Sequence, residues 1–562
     1  MACCLFYRFP VRNALRASQA VHARDVMVNP SPSYAPINVV YCITNLILLT
    51  ISMHTKLFKS FLFLSFSAVI ISLSRFTLRA VGDSNPLFCN VLMVSFFISL
   101  LLGSKRRYYL LMLPISIIVA AYAPIGFTYG FPSYQYVASL FATDIQESVE
   151  FLSLIPYKSY IYAISIPFLF AAIYILSLRL NFRPLKNRAY VITGVVFLTI
   201  SSDAIMFIKK TEDAVTKVRL EMNELSKYAK RNDWQGIHQT EKTKYDYYVL
   251  VIGESARRDY FHAYGYPVKN TEFIDSTKGI IVNGLDSAGV YTIGSLRLML
   301  TQGDKLKWQP NYNMNIMGMA NKAGFETYWL SNQGQFGEWD SPISSIAKMA
   351  DESYFTKSQD YNEKNTPDSL LIKKLKQIIA KNTNKKRFIV LHTMGSHPSA
   401  CDRVSGMRNQ IKVKSDINKY IACYVSSIKQ TDEFLKSVYE TMSQSENVKK
   451  FSIIYFSDHG MVHREMNGRI YLNNNYISKY HHDIPLIKIS SDDIDRKEVS
   501  SKKSGLMFVN GLANWMGVEG KSINPYNLFD GIPSSQDYGL SKQGYKVDDP
   551  AIDITSDLEP SD

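Results

Sequence analysis

At 562 residues the chain is too long for one compact domain. Its 63 lysines and arginines against 49 acidic residues give a formal charge of +14. That excess fits basic residues beside membrane helices and attraction to anionic lipid head groups; with no basic arm or aromatic-interleaved module, nucleic acid is not an expected partner. The six cysteines are too few for a disulfide-dense scaffold.

Residues 1–57 read as an N-terminal extension whose first part carries several arginines. Its first 30 residues show no apolar core followed by a small-residue cleavage site, so no removable signal is expected there. Within it, Ile37–Met53 is apolar but short and broken by Asn38, Thr44 and Asn45, so both an interfacial helix and a span remain open. Residues 58–208 read as a membrane domain with five apolar runs, at 60–78, 86–103, 108–128, 159–178 and 189–208. Each approaches the ~20 residues that a bilayer requires. Lys105-Arg106-Arg107 follows the second run, and Arg179, Arg183, Lys186 and Arg188 follow the fourth. The positive-inside rule places both loops in the cytoplasm, so everything after 208 lies outside; Lys209 and Lys210 lean the other way but are outnumbered. In Gly130–Pro156, Tyr136, Leu140, Ile145, Val149 and Leu152 recur near helical spacing, which predicts an amphipathic helix on the outer interface.

Residues 209–245 read as a polar, helix-prone linker. From 246 to 530, short β-rich runs (Tyr247–Ile252, Thr327–Leu330, Phe388–Leu391, Phe451–Phe456) alternate with helical patterns such as Asp368–Ala380 and Lys419–Met442. This predicts an α/β domain whose central, mostly parallel sheet carries helices on both faces. Residues 531–562 are an acidic, poorly patterned tail.

Two of the runs end in metal-ligand chemistry. Glu254 follows the first, and Asp458-His459 follows the last. Parallel strands bring such ends together, and carboxylate plus imidazole suits a divalent ion such as zinc, with manganese or magnesium less suited. Six of the ten histidines lie between 392 and 482: His392, His397, His459, His463, His481 and His482. His397 and His392 are candidates for a ligand or phosphate contact, while His463, His481 and His482 favour structural roles. A nucleophilic hydroxyl is available at Ser287, Thr292 or Ser295, and spacing alone does not choose among them.

The strings Glu254-Ser-Ala-Arg-Arg, Gly265-Tyr-Pro, the Thr292 segment, Leu391-His-Thr-Met-Gly-Ser-His397 and Ser457-Asp-His-Gly resemble the phosphoethanolamine transferases. These are inner-membrane enzymes of Gram-negative bacteria with a sulfatase-like domain of the alkaline phosphatase superfamily. The resemblance runs in order over 58–530, and Asn332-Gln-Gly-Gln-Phe-Gly-Glu places the chain nearest a poorly characterised branch. It implies that Glu254, Thr292, Asp458 and His459 hold a catalytic zinc, that Thr292 becomes phosphoethanolaminylated, that His397 and His392 contact the phosphoryl group or a second zinc, and that Asn332 is a polar substrate contact. It implies phosphatidylethanolamine as donor, an envelope acceptor such as lipopolysaccharide or a periplasmic glucan, and a monomeric enzyme. Three features depart from the pattern: Ala288-Gly-Val stands where a Cys-Gly-Thr segment is usual, no lysine follows Asn332, and the family's histidine after the Asp-His motif has no clean counterpart, His481 and His482 being the candidates.

Two other readings remain open. A glycerol-phosphate transferase of the lipoteichoic-acid synthase type shares the anchor, the fold and the threonine. A catalytically silent envelope sensor would need none of the four ligands. If the soluble half is extracytoplasmic, Cys401 and Cys423 are expected to form a disulfide.

Overall fold

The computed structural model describes residues 60–134, 136–138, 145–182, 188, 192, 206–228, 231–334, 342–357, 366–466, 469–472, 477–543, 545 and 547–560. The chain divides into two compact units: Met1–Phe127 with Lys158–Phe207, and Thr128–Tyr157 with Ile208–Asp562.

In the first unit, three helices are long and apolar enough to cross a membrane: α1 (Ser60–Ala80), α3 (Lys105–Tyr129) and α5 (Tyr157–Arg179). The run at 86–103 forms a shorter apolar helix, α2 (Phe88–Leu101). Nearly all of the fifth expected run and all of Ile37–Met53 lie outside the described residues. The helices carry their apolar side chains outward, as at Phe61, Leu64, Ile164 and Phe168. Buried hydroxyls are satisfied within their own helix: Ser74 donates to the Ile70 carbonyl at 2.7 Å and Thr77 to that of Leu73 at 2.8 Å. Apolar outside with internally satisfied polar groups is what a lipid surround demands.

The second unit is built on an eight-stranded sheet. Its strands in chain order are β1 (Tyr247–Gly253), β2 (Gly279–Asp286), β3 (Glu326–Ser331), β4 (Glu352–Phe355), β5 (Arg387–His392), β6 (Phe451–Ser457), β7 (Asp483–Ser490) and β8 (Arg496–Ser504). They lie in the order β8-β2-β7-β6-β1-β5-β3-β4. Only β7 runs antiparallel to its neighbours. The central strand β1 is buried along its whole length. Val249 and Val251 enter one core, while Tyr248, Leu250 and Ile252 enter the other. A strand covered on both faces reads as an unbroken apolar run, which is why Tyr247–Gly253 is conspicuous in the sequence.

On one face lies the long helix α9 (Lys419–Ser443), with Ile421, Val425, Ile428, Leu435 and Val438 buried against that core. Before it stands the amphipathic α8 (Leu370–Ile379), burying Leu371, Leu375 and Ile378. The segment after 128 contains helix α4 (Ile145–Ser153). Its Val149 and Leu152 are exposed while Glu150 is buried. The linker forms helix α6 (Met206–Tyr228). The acidic tail is part of the fold: Ile554 is fully buried, and Asp549 accepts a hydrogen bond at 2.8 Å from Arg257, itself fully buried.

Candidate active site

Strands β1 and β6 are parallel neighbours with Gly253 opposite Ser457, so the residues that follow each strand emerge side by side. Glu254, Asp458 and His459 offer ligand atoms that all lie within 4.8 Å of one another. Ser255 makes this approach possible with a φ of 55°, a left-handed conformation that is strained for a serine. In that conformation its amide donates to Asp458 Oδ1 at 2.9 Å, while its hydroxyl donates to Glu254 Oε1 at 2.7 Å. Gly460 is required by crowding: a β-carbon there would stand 2.0 Å from the Tyr480 carbonyl oxygen. The next residues after β5 close over the pair. Ser396 donates its amide to the Glu254 carbonyl at 2.9 Å, and Gly395, with φ of 43°, brings its backbone against Glu254.

Thr292 opens helix α7 (Thr292–Met299). Its Oγ1 lies 3.0 Å from Glu254 Oε2 and 3.4 Å from His459 Nε2. The two rival hydroxyls are turned elsewhere. Ser295 donates to the Asp458 carbonyl at 2.6 Å, and Ser287 donates to the Gly289 carbonyl at 2.8 Å; both are fully buried. Thr292 is the hydroxyl among the three that faces the acidic pair, and its position at a helix N-terminus favours negative charge on its oxygen.

The electrostatics are those of a cation site. Burial would raise the pKa of both carboxyls. In Glu254 the hydrogen bond and charge of His459 outweigh burial and hold it well below the usual range. Asp458 is pushed well above its usual range by burial and then by the neighbouring Glu254 charge. Burial disfavours the His459 imidazolium, yet Asp458 and Glu254 raise its pKa from 6.5 to about 9. Asp458 Oδ2 is buried without a hydrogen-bond partner. His459 Nδ1 lies 2.6 Å from the Gly460 carbonyl and so keeps its proton; a cation that displaced the Nε2 proton would meet that nitrogen's lone pair beside the carboxylates. Orphaned oxygen, paired carboxylates and an oriented imidazole fit a divalent ion.

The remaining candidates lie outside this cluster, most of them buried. His397 is half-buried at the end of the β5 loop, with Nδ1 3.4 Å from Arg403 Nη2; burial lowers its pKa to about 4. His392 ends β5, fully buried beside the Trp329 ring, and burial likewise lowers it to about 4. Asn332 has both ends of its amide engaged by the protein. It donates to the Thr366 carbonyl and to Asp368, and it accepts from Thr356 and Thr366, all within 2.8 Å. The next residue reaches the site instead. Gln333 donates to Glu254 Oε2 at 2.8 Å and to the Thr393 carbonyl at 3.1 Å. It occupies the position after Asn332 where lysine was missed, a signal legible in the sequence though its role was not. His463 packs among the rings of Tyr260, Tyr420 and Tyr424 and contacts Tyr260 Oη at 3.0 Å. His481 caps a helical turn, accepting from the Ser478 amide, and His482 donates to the Ser287 carbonyl at 2.8 Å. Cys401 and Cys423 are joined by a disulfide.

The sequence model of the Sulfatase family matches residues 246–518. A relative from Haemophilus influenzae, provisionally named a phosphoethanolamine transferase, is 42% identical over 396 residues, covering 69% of this chain and 81% of the relative. The phosphoethanolamine transferase OpgE of Escherichia coli K12 is 34% identical over 436 residues, covering 73% and 80%. The chain belongs to the phosphoethanolamine transferase family. This transferase also shares its fold with the integral membrane lipooligosaccharide phosphoethanolamine transferase A of Neisseria meningitidis, at a TM-score of 0.56 over 81% of this chain and 97% of the other, with 16% identity. The shared fold is a set of apolar N-terminal helices followed by an α/β domain on a mostly parallel sheet.

Proposed function

We propose that this transferase moves phosphoethanolamine from phosphatidylethanolamine to an acceptor in the bacterial envelope, through a covalent intermediate on Thr292. The observation that carries the reading is the Thr292 hydroxyl, 3.0 Å from Glu254 Oε2, on a helix N-terminus beside the buried Asp458-His459 pair. Glu254, Asp458, His459 and Thr292 would hold a divalent ion, zinc being the best match to this donor set. Such an ion supplies Lewis acidity and lowers the pKa of a neighbouring hydroxyl.

The chain's own residues do the rest. Glu254 Oε2, at 3.0 Å, is the acceptor for the Thr292 proton. In the first displacement the Thr292 Oγ–P bond forms and the bond from phosphorus to the glycerol oxygen breaks, and diacylglycerol leaves with a proton. In the second, an acceptor hydroxyl forms its own bond to phosphorus, the Thr292 Oγ–P bond breaks, and Thr292 regains a proton. His397, in the loop after β5, is the candidate contact for the phosphoryl oxygens, and Gln333 fixes Glu254 while this happens. The loop charges place the catalytic unit outside the cytoplasm, on the periplasmic face of the inner membrane. Membrane helices then confine enzyme and lipid donor to one surface, which raises their effective concentration.

The test is mass spectrometry of the protein after incubation with phosphatidylethanolamine labelled in its ethanolamine. The expected result is labelled phosphoethanolamine on the peptide containing Thr292, absent in Thr292→Ala. Labelling from phosphatidylglycerol instead would establish the glycerol-phosphate reading.

A further inference from the structure

Behind Thr292, helix α7 is gripped by two segments far away in sequence. Arg297 lies five residues after Thr292 on the same helix, and its Nη1 donates to both carboxylate oxygens of Glu221, at 2.8 and 3.0 Å. Glu221 sits on α6, on the face that also buries Ala214, Val218 and Leu225. It accepts hydrogen bonds from the hydroxyls of Tyr134 and Tyr312 as well. Arg297 also donates to Tyr134 Oη at 3.2 Å and stacks over that ring, 4.9 Å from its centroid. The ion pair is largely shielded, with side-chain exposures of 19% for Arg297 and 11% for Glu221. An apolar cluster lies beside it: Ile293, adjacent to Thr292, packs with Val218 of α6 and Ala138, flanked by Tyr134, Val137 and Tyr291.

A shielded carboxylate that accepts from one arginine and two phenols has its charge fully compensated, and loss of any partner leaves the others short. The node has a second property. Tyr134 follows the end of the apolar helix α3 by five residues, and α6 is the linker helix. Both chain segments that lead from apolar runs into the catalytic unit therefore converge on the helix that presents the nucleophile.

We infer that Glu221, with Tyr134 and Tyr312, is a positioning residue for transfer: through Arg297 it fixes the azimuth and tilt of α7 and so holds the Thr292 hydroxyl against Glu254. The inference rests on Thr292 being the nucleophile. Sensitivity to position is steep, since displacing a reacting group by about 1 Å costs on the order of 100-fold in rate. Relaxing the grip should lower the rate of covalent transfer to Thr292 without weakening lipid binding, because the gripping side chains bond to one another and not to Glu254, Thr292 or His459.

The experiment uses the full chain reconstituted in bilayers of phosphatidylethanolamine and phosphatidylglycerol, with kcat, surface KM, metal content and the rate of Thr292 labelling measured together. Glu221→Gln is expected to lower kcat and the labelling rate about tenfold or more, while KM stays within about twofold and metal content is unchanged. Glu221→Asp should recover part of the loss. Glu212→Gln, exposed on the same helix, should match wild type. A wild-type kcat in Glu221→Gln overturns the inference, and so does a loss of kcat matched by an equal loss of folded, metal-bound protein. If Glu221→Gln does not fold, the Tyr134→Phe, Tyr312→Phe double variant decides. It removes two hydroxyls and no ring, and the inference expects a kcat at least about threefold lower at full metal content; an unchanged kcat refutes it. Thr292→Ala separates the two failures: turnover in that variant sinks the nucleophile assignment, whereas an inert Thr292→Ala beside a fully active Glu221→Gln sinks the positioning role alone.

Discussion

The two ends of the central strands are built on opposite principles. At the start of β5, Arg387 is fully buried and well satisfied: Nε donates to Glu326 at 3.0 Å, Nη1 to the Ile378 carbonyl at 2.8 Å and to Tyr247 Oη at 3.2 Å, and Nη2 to the Lys381 carbonyl at 2.5 Å. At the other end of the same sheet, Asp458 Oδ2 and His392 Nε2 are buried without a hydrogen-bond partner, and two carboxylates face each other. One end is closed and contributes stability. The other sets two carboxylates against a single imidazole, an excess of negative charge suited to a bound cation, as expected at the carboxyl ends of strands in an open α/β sheet. Stability and chemistry are thus separated by the length of six or seven residues of strand.

The sharpest way to break this contrast is Thr292→Ala. Transfer should fall by at least about 1,000-fold, because the covalent route is lost, while the circular dichroism spectrum and melting temperature stay at wild-type values. Measured turnover within tenfold of wild type would end the assignment. Next in size is His459→Ala, which should remove bound metal, read by elemental analysis, together with activity; undiminished metal would contradict the ligand set.

Arg387→Met probes the opposite end. It leaves the Ile378 and Lys381 carbonyls without their donor and should cost about 3 kcal/mol in urea unfolding, with the turnover of folded molecules unchanged. Replacing Cys401 and Cys423 by serine opens a crosslink spanning 22 positions. The chain-entropy model gives about 3 kcal/mol for a loop of that size, with native strain able to reduce it; denaturant titration reads the loss.

The smallest effect is a pH slope. In the metal-free protein the folded-state pKa of His459 is about 9 against 6.5 ordinarily. A proton bound more tightly in the folded state stabilises it fully below about pH 6.5, and that contribution is lost as pH rises to about 9. The raised Asp458 carboxyl acts in the same sense. Chelator-treated protein should therefore lose roughly 1–3 kcal/mol between pH 6.5 and 9, and His459→Gln should flatten most of that slope.

The legible parts of the sequence were those where burial writes a pattern. β1, β3, β5 and β6 are covered on both faces and appear as apolar runs, so their ends, and Glu254 and Asp458-His459 with them, could be located. Strand β8, with the sequence Arg-Lys-Glu-Val-Ser-Ser-Lys-Lys-Ser, lies at the sheet edge and is largely polar; an edge strand that bears lysines resists pairing with other chains but carries no apolar signature. β2 is interrupted by Asn283 and Gly284. Asn332 and Gln333 show the limit at the site. The sequence marks the position after β3, but which amide turns toward Glu254 is decided by Thr356, Thr366 and Asp368, which come from elsewhere in the chain.

The bond between Arg257 and Asp549 also has a consequence in time. Arg257 lies three residues beyond Glu254, and its guanidinium is held by Asp259 at 2.6 Å and by Asp549, 292 positions later, at 2.8 Å. At typical rates of synthesis that interval is roughly 15–60 s. Until it has passed, the loop that carries Glu254 stands beside a guanidinium lacking one of its two carboxylate partners. The anchoring of this loop is therefore completed only once the C-terminal segment has been made. A nascent or C-terminally trimmed chain would carry the motif residues without the second carboxylate that anchors the loop beside Glu254.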